Sequence, residues 1–125
     1  MNLLLDTHVW LWWLANSDRL YPSFRIAINR PDNNVFVSAI SLWELNIKRR
    51  VGKLEFEGDP MKVSIERGLE FVSFLPVHAE YVYGLPSLHG DPFDRALIAQ
   101  AMVDDYFLLT ADQAILKYPG VRLFG

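Results

Sequence analysis

The chain of 125 residues contains no cysteine. That excludes a disulfide framework, a thiolate zinc site and a cysteine nucleophile, and it fits a reducing compartment, so a cytoplasmic location is expected. Long hydrophobic runs are also missing: the most apolar stretch, Val9 to Ala15 (VWLWWLA), is far short of the ~20 residues a membrane helix needs. The opening MNLLLDTHVW has no basic region and meets Asp6 before an apolar run reaches signal-peptide length, so no secretion signal is expected. Nor is there an excess of positive charge. Twelve Lys and Arg against fifteen Asp and Glu leave a net charge of -3, which argues against a whole-surface nucleic-acid binder but not against a local basic cluster. Repeats and low-complexity tracts are absent, and the seven Gly and seven Pro are scattered rather than gathered into a linker. A single domain over residues 1–125 is therefore expected.

What is present is apolar and alternating. With 51% hydrophobic and 22% charged residues, a chain of this length can bury roughly two thirds of its unfolded surface and needs no metal to hold it together. Short continuous apolar runs at Leu3–Leu5, Val35–Ser38, Phe71–Leu75 and Tyr106–Thr110 read as buried strands, with Val121–Phe124 as a candidate edge strand. Between them, helical spacing or start signals occur at Thr7–Asn16, Ser23–Asn29, Ala39–Val51, Pro60–Gly68, Pro76–Gly84, Pro92–Asp105 and Asp112–Lys117. Strands alternating with helices imply right-handed crossovers and an α/β class: a three-layer α/β/α sandwich around a mainly parallel sheet. In such sheets, ligands bind beyond the carboxyl ends of the strands.

Four acids fall at that edge. Asp6 ends the first strand, where it could be a helix N-cap or a ligand. Glu44 shares a helical face with Ile40, Ile47 and Val51, so a charge points where a core helix should be apolar; an i,i+4 pair with Lys48 is the bland alternative. Asp94 heads the stripe of Leu97, Ile98 and Ala101, and a first-turn dipole role competes there. Asp112 follows the strand FLLT, where Thr110 and Gln113 also fit a capping box. Asp91, directly before Pro92, reads first as an N-cap and second as a further ligand. Clustered carboxylates repel one another, and a cation resolves the repulsion. An all-oxygen ligand set favours Mg²⁺ or Mn²⁺, whose natural chemistry is phosphodiester hydrolysis with one ion or two.

Lys48, Arg49, Arg50 and Lys53 form the densest basic cluster and are candidate phosphate contacts, as is Arg95 beside Asp94; a solvated helix end explains the cluster equally well. Thr7 and Thr110 stand next to two of the acids and could orient ligands or water. His8 and His89 receive no role. Trp10, Trp12 and Trp13 make one helix apolar on nearly every face, through deep burial or a partner surface such as a dimer interface.

The segments LLLDTHVWLWWL, SAISLWELNIKRRVGKL, HGDPFDRALIAQA and LLTADQAILKY together resemble the PIN domain, specifically VapC-type toxins of bacterial toxin–antitoxin pairs, over almost the whole chain. The resemblance implies an acidic pocket on a parallel sheet, divalent-cation-dependent RNA cleavage, homodimerisation, and inhibition by a cognate antitoxin. It matches Asp6, Glu44, Asp94 and Asp112 to the family's acids and sets Asp91 beside them. A further acid that some relatives carry after the T-x-D motif is replaced here by Gln113, Ala114 and Ile115. Two other classes compete with a nuclease: a catalytically silent RNA- or protein-binding module on the same fold, and a phospho-accepting signalling domain. The latter fits worse, because no paired acids end the first strand and no lysine closely follows FLLT.

Overall fold

The computed structural model describes residues 1–124. In chain order the elements are β1 (Asn2–Leu5), α1 (Thr7–Leu14), α2 (Pro22–Asn29), β2 (Asn34–Ser38), α3 (Ala39–Arg50), α4 (Pro60–Glu66), β3 (Glu70–Val72), α5 (Pro76–Tyr83), α6 (Pro92–Val103), β4 (Phe107–Leu109), α7 (Gln113–Leu116) and β5 (Arg122–Leu123). The five strands form one sheet in the order β3-β2-β1-β4-β5, and every pairing is parallel.

The three layers follow from the pleat. Successive side chains of a strand point to opposite faces, so Leu3, Leu5, Val35, Val37 and Leu109 pack with Trp10, Trp13 and Phe24 on one side. Leu4, Leu108 and half-buried Phe36 pack with Leu97, Ile98, Ala101 and Ile115 on the other. All three leucines of β1 are fully buried, as a central strand covered on both faces requires. Trp10 and Trp13 are buried and Trp12 is half-buried, so deep burial accounts for most of the tryptophan run. The Trp10 indole N–H donates to Ser64 Oγ at 3.0 Å, and that hydroxyl donates to the Pro60 carbonyl at 2.7 Å, so the core tryptophan keeps a hydrogen-bond partner.

One strand is displaced from its expected span. β3 covers Glu70–Val72 rather than Phe71–Leu75, because its partner β2 ends at Ser38, which pairs with Val72 and caps α3. Beyond Val72 the chain has no neighbour to pair with, and Leu75 instead becomes the N-cap residue of α5. Its N–H donates to His78 Nδ1 at 2.8 Å, which leaves the proton of this buried ring on Nε2, 2.9 Å from Asp104.

The strand order matters for function. From β1 the chain winds outward through β2 and β3, then returns across the sheet to place β4 against the other side of β1. Crossovers leave β1 and β4 in opposite directions, which opens a crevice at their carboxyl ends. The Asp6 N–H donates to the Leu109 carbonyl at 3.0 Å, so the two strand ends are level there.

Candidate active site

Three of the expected acids stand at this crevice. Asp6, first residue after β1, is 2% exposed and caps α1, its Oδ1 accepting from the Val9 N–H at 2.7 Å. Its Oδ2 accepts from the hydroxyl of Thr110, the residue after β4. The Thr110 oxygen in turn accepts from the Asp112 N–H at 3.0 Å. Asp112 caps α7 through the Ala114 N–H at 2.9 Å, so it precedes the helix rather than lying within it. Capping uses one oxygen of each carboxylate and fixes its direction, so a cap and a ligand can be the same residue.

Asp94 arrives from the first turn of α6, with Leu97, Ile98 and Ala101 buried beneath it. Its Oδ2 lies 2.7 Å from His89 Nε2. Ligand atoms of His89, Asp94 and Asp112 all lie within 4.8 Å of one another. In the sequence, only its place just ahead of the DPFDR segment sets this histidine apart. Asp91 is the N-cap of α6, with Oδ1 accepting from Phe93 and Asp94 N–H groups at 2.8 and 3.1 Å. Its structural role is thus explicit.

Burial charges a cost for this arrangement. Desolvation pushes the Asp6 carboxyl up, against the lowering effect of its Thr110 and Val9 hydrogen bonds and of His8, while the Asp112 charge pushes further upward. Desolvation likewise raises Asp94 to about 6; the His89 hydrogen bond lowers it, and the charges of Asp91 and Asp112 add to the rise. Asp6 and Asp94 therefore both feel Asp112.

Glu44 is buried as expected, but by a different face of α3. Ile47 and Val51 are exposed, at 39% and 61%, and the buried residues of α3 are Ser41, Glu44 and Leu45. The stripe expected for Glu44 holds only at half-buried Ile40, which packs on the core; the inward side of α3 is Ser41, Glu44 and Leu45, and Ser41 Oγ accepts from Thr7 Oγ1 at 2.9 Å. Thr7 is therefore engaged with α3 rather than with an acid. Glu44 Oε2 pairs with Lys48 Nζ at 3.2 Å, whereas Glu44 Oε1 is buried with no hydrogen-bond partner.

The expected phosphate contacts divide. Arg49 is half-buried and Arg50 exposed at the end of α3, and exposed Lys53 follows the helix. Arg95 is different. Its guanidinium donates to the carbonyls of Pro86, Val82 and Leu85 and to the Tyr118 hydroxyl, at 2.7 to 3.4 Å. Those bonds tie the end of α5 and the segment after it to α6, so Arg95 braces this part of the fold.

Residues 3–121 match the family model of the PIN domain. The chain belongs to the PIN domain family. This PIN domain is 30% identical over 120 residues to Ribonuclease VapC22 of Mycobacterium tuberculosis, covering 94% of this chain and 92% of that protein. Among solved structures its fold is similar to VapBC2 from Rickettsia felis bound to a promoter DNA fragment, with a TM-score of 0.74, 20% identity and coverage of 99% and 98%. DNA-bound VapBC from Salmonella typhimurium follows, with a TM-score of 0.68, 17% identity and coverage of 99% and 97%. The all-parallel sheet of this PIN domain is the architecture expected from its strand and helix alternation.

Proposed function

We propose that the protein is a divalent-metal-dependent endoribonuclease and the toxin of a toxin–antitoxin pair. The observation that carries this reading is the meeting of Asp6, Asp94 and Asp112 at the β1–β4 crevice of a PIN domain whose relative is named a ribonuclease.

The residues fit a hard divalent cation, Mg²⁺ or Mn²⁺. Carboxylate oxygens dominate the donor set, and a buried carboxylate oxygen without a partner, Glu44 Oε1, is the kind of atom that a cation satisfies. Asp6, Asp94, Asp112 and Glu44 would hold the ion, with His89 beside Asp94. When bound, the ion supplies Lewis-acid stabilisation of charge on the phosphodiester and acidifies water. The chain supplies the positioning. Thr110 and the Val9 N–H hold Asp6, the Ala114 N–H holds Asp112, and His89 holds one oxygen of Asp94. Lys48, Arg49, Arg50 and Lys53 supply positive charge along one approach to the acids. An antitoxin, supported by the VapBC neighbours, is the partner that belongs with this reading, and a second copy of the chain is proposed beside it.

The test is cleavage of total RNA by purified protein with Mn²⁺ and with EDTA, alongside Asp94→Asn and Asp112→Asn proteins shown by circular dichroism to be folded. Cutting that requires the metal and disappears in both variants is expected. Cutting that survives EDTA, or that both variants retain, overturns the reading.

A further inference from the structure

Beside the acids lies a pocket of about 320 Å³ lined by Asp6, His8, Trp12, Arg19, Ala111 and Asp112. Its composition is unusual for this molecule. The lining includes two carboxylates of the candidate active site and an aromatic pair: His8 and Trp12 lie one turn apart on α1, with ring centroids 6.1 Å apart and planes tilted by 41°. Because α1 starts at Thr7, directly after Asp6, helical spacing carries His8 and then Trp12 outward from the acid along one face. Arg19, from the segment between α1 and α2, brings a guanidinium to the lining.

Arg19 is also uncommitted. Arg25 is bound to Asn16 and the Ser17 carbonyl, Arg67 lies over Trp13, and Arg95 braces α6. Among the described residues the exposed Arg19 guanidinium makes no hydrogen bond or ion pair. A cation at the rim has a physical purpose here, since a phosphodiester approaching Asp6 and Asp112 meets repulsion unless positive charge lies next to it. The planar guanidinium binds phosphate oxygens in pairs, and an indole face accepts any base by stacking.

We propose that this pocket holds one unpaired nucleotide of the RNA substrate, its base against Trp12 and its phosphate on Arg19. The inference rests on the ribonuclease reading and adds two positioning residues to it, Trp12 for a base and Arg19 for its phosphate; a paired base cannot present its face to Trp12. Stacking tolerates sequence, so the pocket selects single-stranded structure more than base identity.

The experiment measures fluorescence anisotropy of a labelled single-stranded RNA oligonucleotide with Mn²⁺, on an Asp94→Asn background that prevents turnover. Trp12→Ala and Arg19→Gln should each raise Kd by about 10- to 100-fold, while Trp12→Phe stays within a few-fold of the parent. Arg19→Gln should also lower the salt dependence by about one phosphate contact. Arg30→Gln changes charge equally at a separate pocket and should bind as the parent does. A duplex of the same sequence should compete poorly. Unchanged Kd in folded Trp12→Ala and Arg19→Gln, or equal competition by the duplex, overturns the inference. If the wild-type protein still cleaves RNA in that event, the nuclease reading survives; if it neither binds nor cleaves, both fall.

Discussion

Thr110 donates its hydroxyl hydrogen to Asp6 and accepts from the N–H of Asp112, so one small side chain ties the acid after β1 to the acid after β4. Thr110→Val keeps the shape and removes both bonds. The expected result is destabilisation of about 1–3 kcal/mol from the buried oxygen left unpaired, together with weaker Mn²⁺ binding by calorimetry. Thr110→Ser should restore most of both.

Asp94 sets a pH dependence. Its carboxyl is raised from 3.8 to about 6, so between those values the folded protein holds a proton that the unfolded chain has released. The stabilising contribution of that proton is full below about pH 4 and is lost as pH rises through 6. In EDTA, Asp94→Asn should therefore be more stable than the wild type at pH 7.5, by at most about 3 kcal/mol, and the difference should vanish near pH 4. Thermal denaturation at the two pH values checks this.

Protons and cations compete for the same oxygens. Divalent-ion affinity should fall by up to about tenfold for each pH unit below 6, and RNA cleavage should fall with it. At pH 7.5, metal at about 100 times its Kd should raise unfolding stability by about 2.7 kcal/mol over the EDTA form. Melting curves with and without Mn²⁺ measure this directly.

Lys48 neutralises one oxygen of a buried glutamate while itself 32% exposed. Lys48→Ala should cost about 1 kcal/mol, the solvent-screened value of such a pair. Glu44→Gln should leave the melting temperature nearly unchanged while abolishing metal-dependent cleavage. A Glu44→Gln protein of full activity would remove Glu44 from the site.

Arg95 separates bracing from substrate contact. Arg95→Gln should lower stability by about 2–3 kcal/mol through its lost carbonyl and Tyr118 bonds. At a temperature where the variant is folded, kcat and KM for RNA should remain within a few-fold of wild type. A large KM increase in the folded variant would restore Arg95 as a phosphate contact.

Much of this molecule was legible one residue at a time. Buried parallel strands announce themselves as continuous apolar runs, and Asp-Pro pairs announce helix starts, so the strand at Leu3–Leu5 and the start of α6 at Pro92 could be located locally. Asp6 and Asp112 could be placed just beyond strand ends, and Asp94 in a first helical turn, from neighbouring residues alone. On α3 periodicity alone misplaces the covered face: Ile47 and Val51 face solvent and the inward side is Ser41, Glu44 and Leu45. Hydrophobic spacing says which residues share a face, whereas the neighbours decide which face is covered.

The sequence by itself determined the α/β alternation, the apolar strands and the supply of carboxylates at strand ends, because these depend on contacts within a few residues. Tertiary structure alone decided that the β1 and β4 ends lie side by side, that His89 reaches Asp94, and that Arg95 is occupied by carbonyls. It also set Arg19 beside Trp12. These relationships join residues far apart in the chain, and their geometry comes from strand order and crossover direction, which no local spacing encodes.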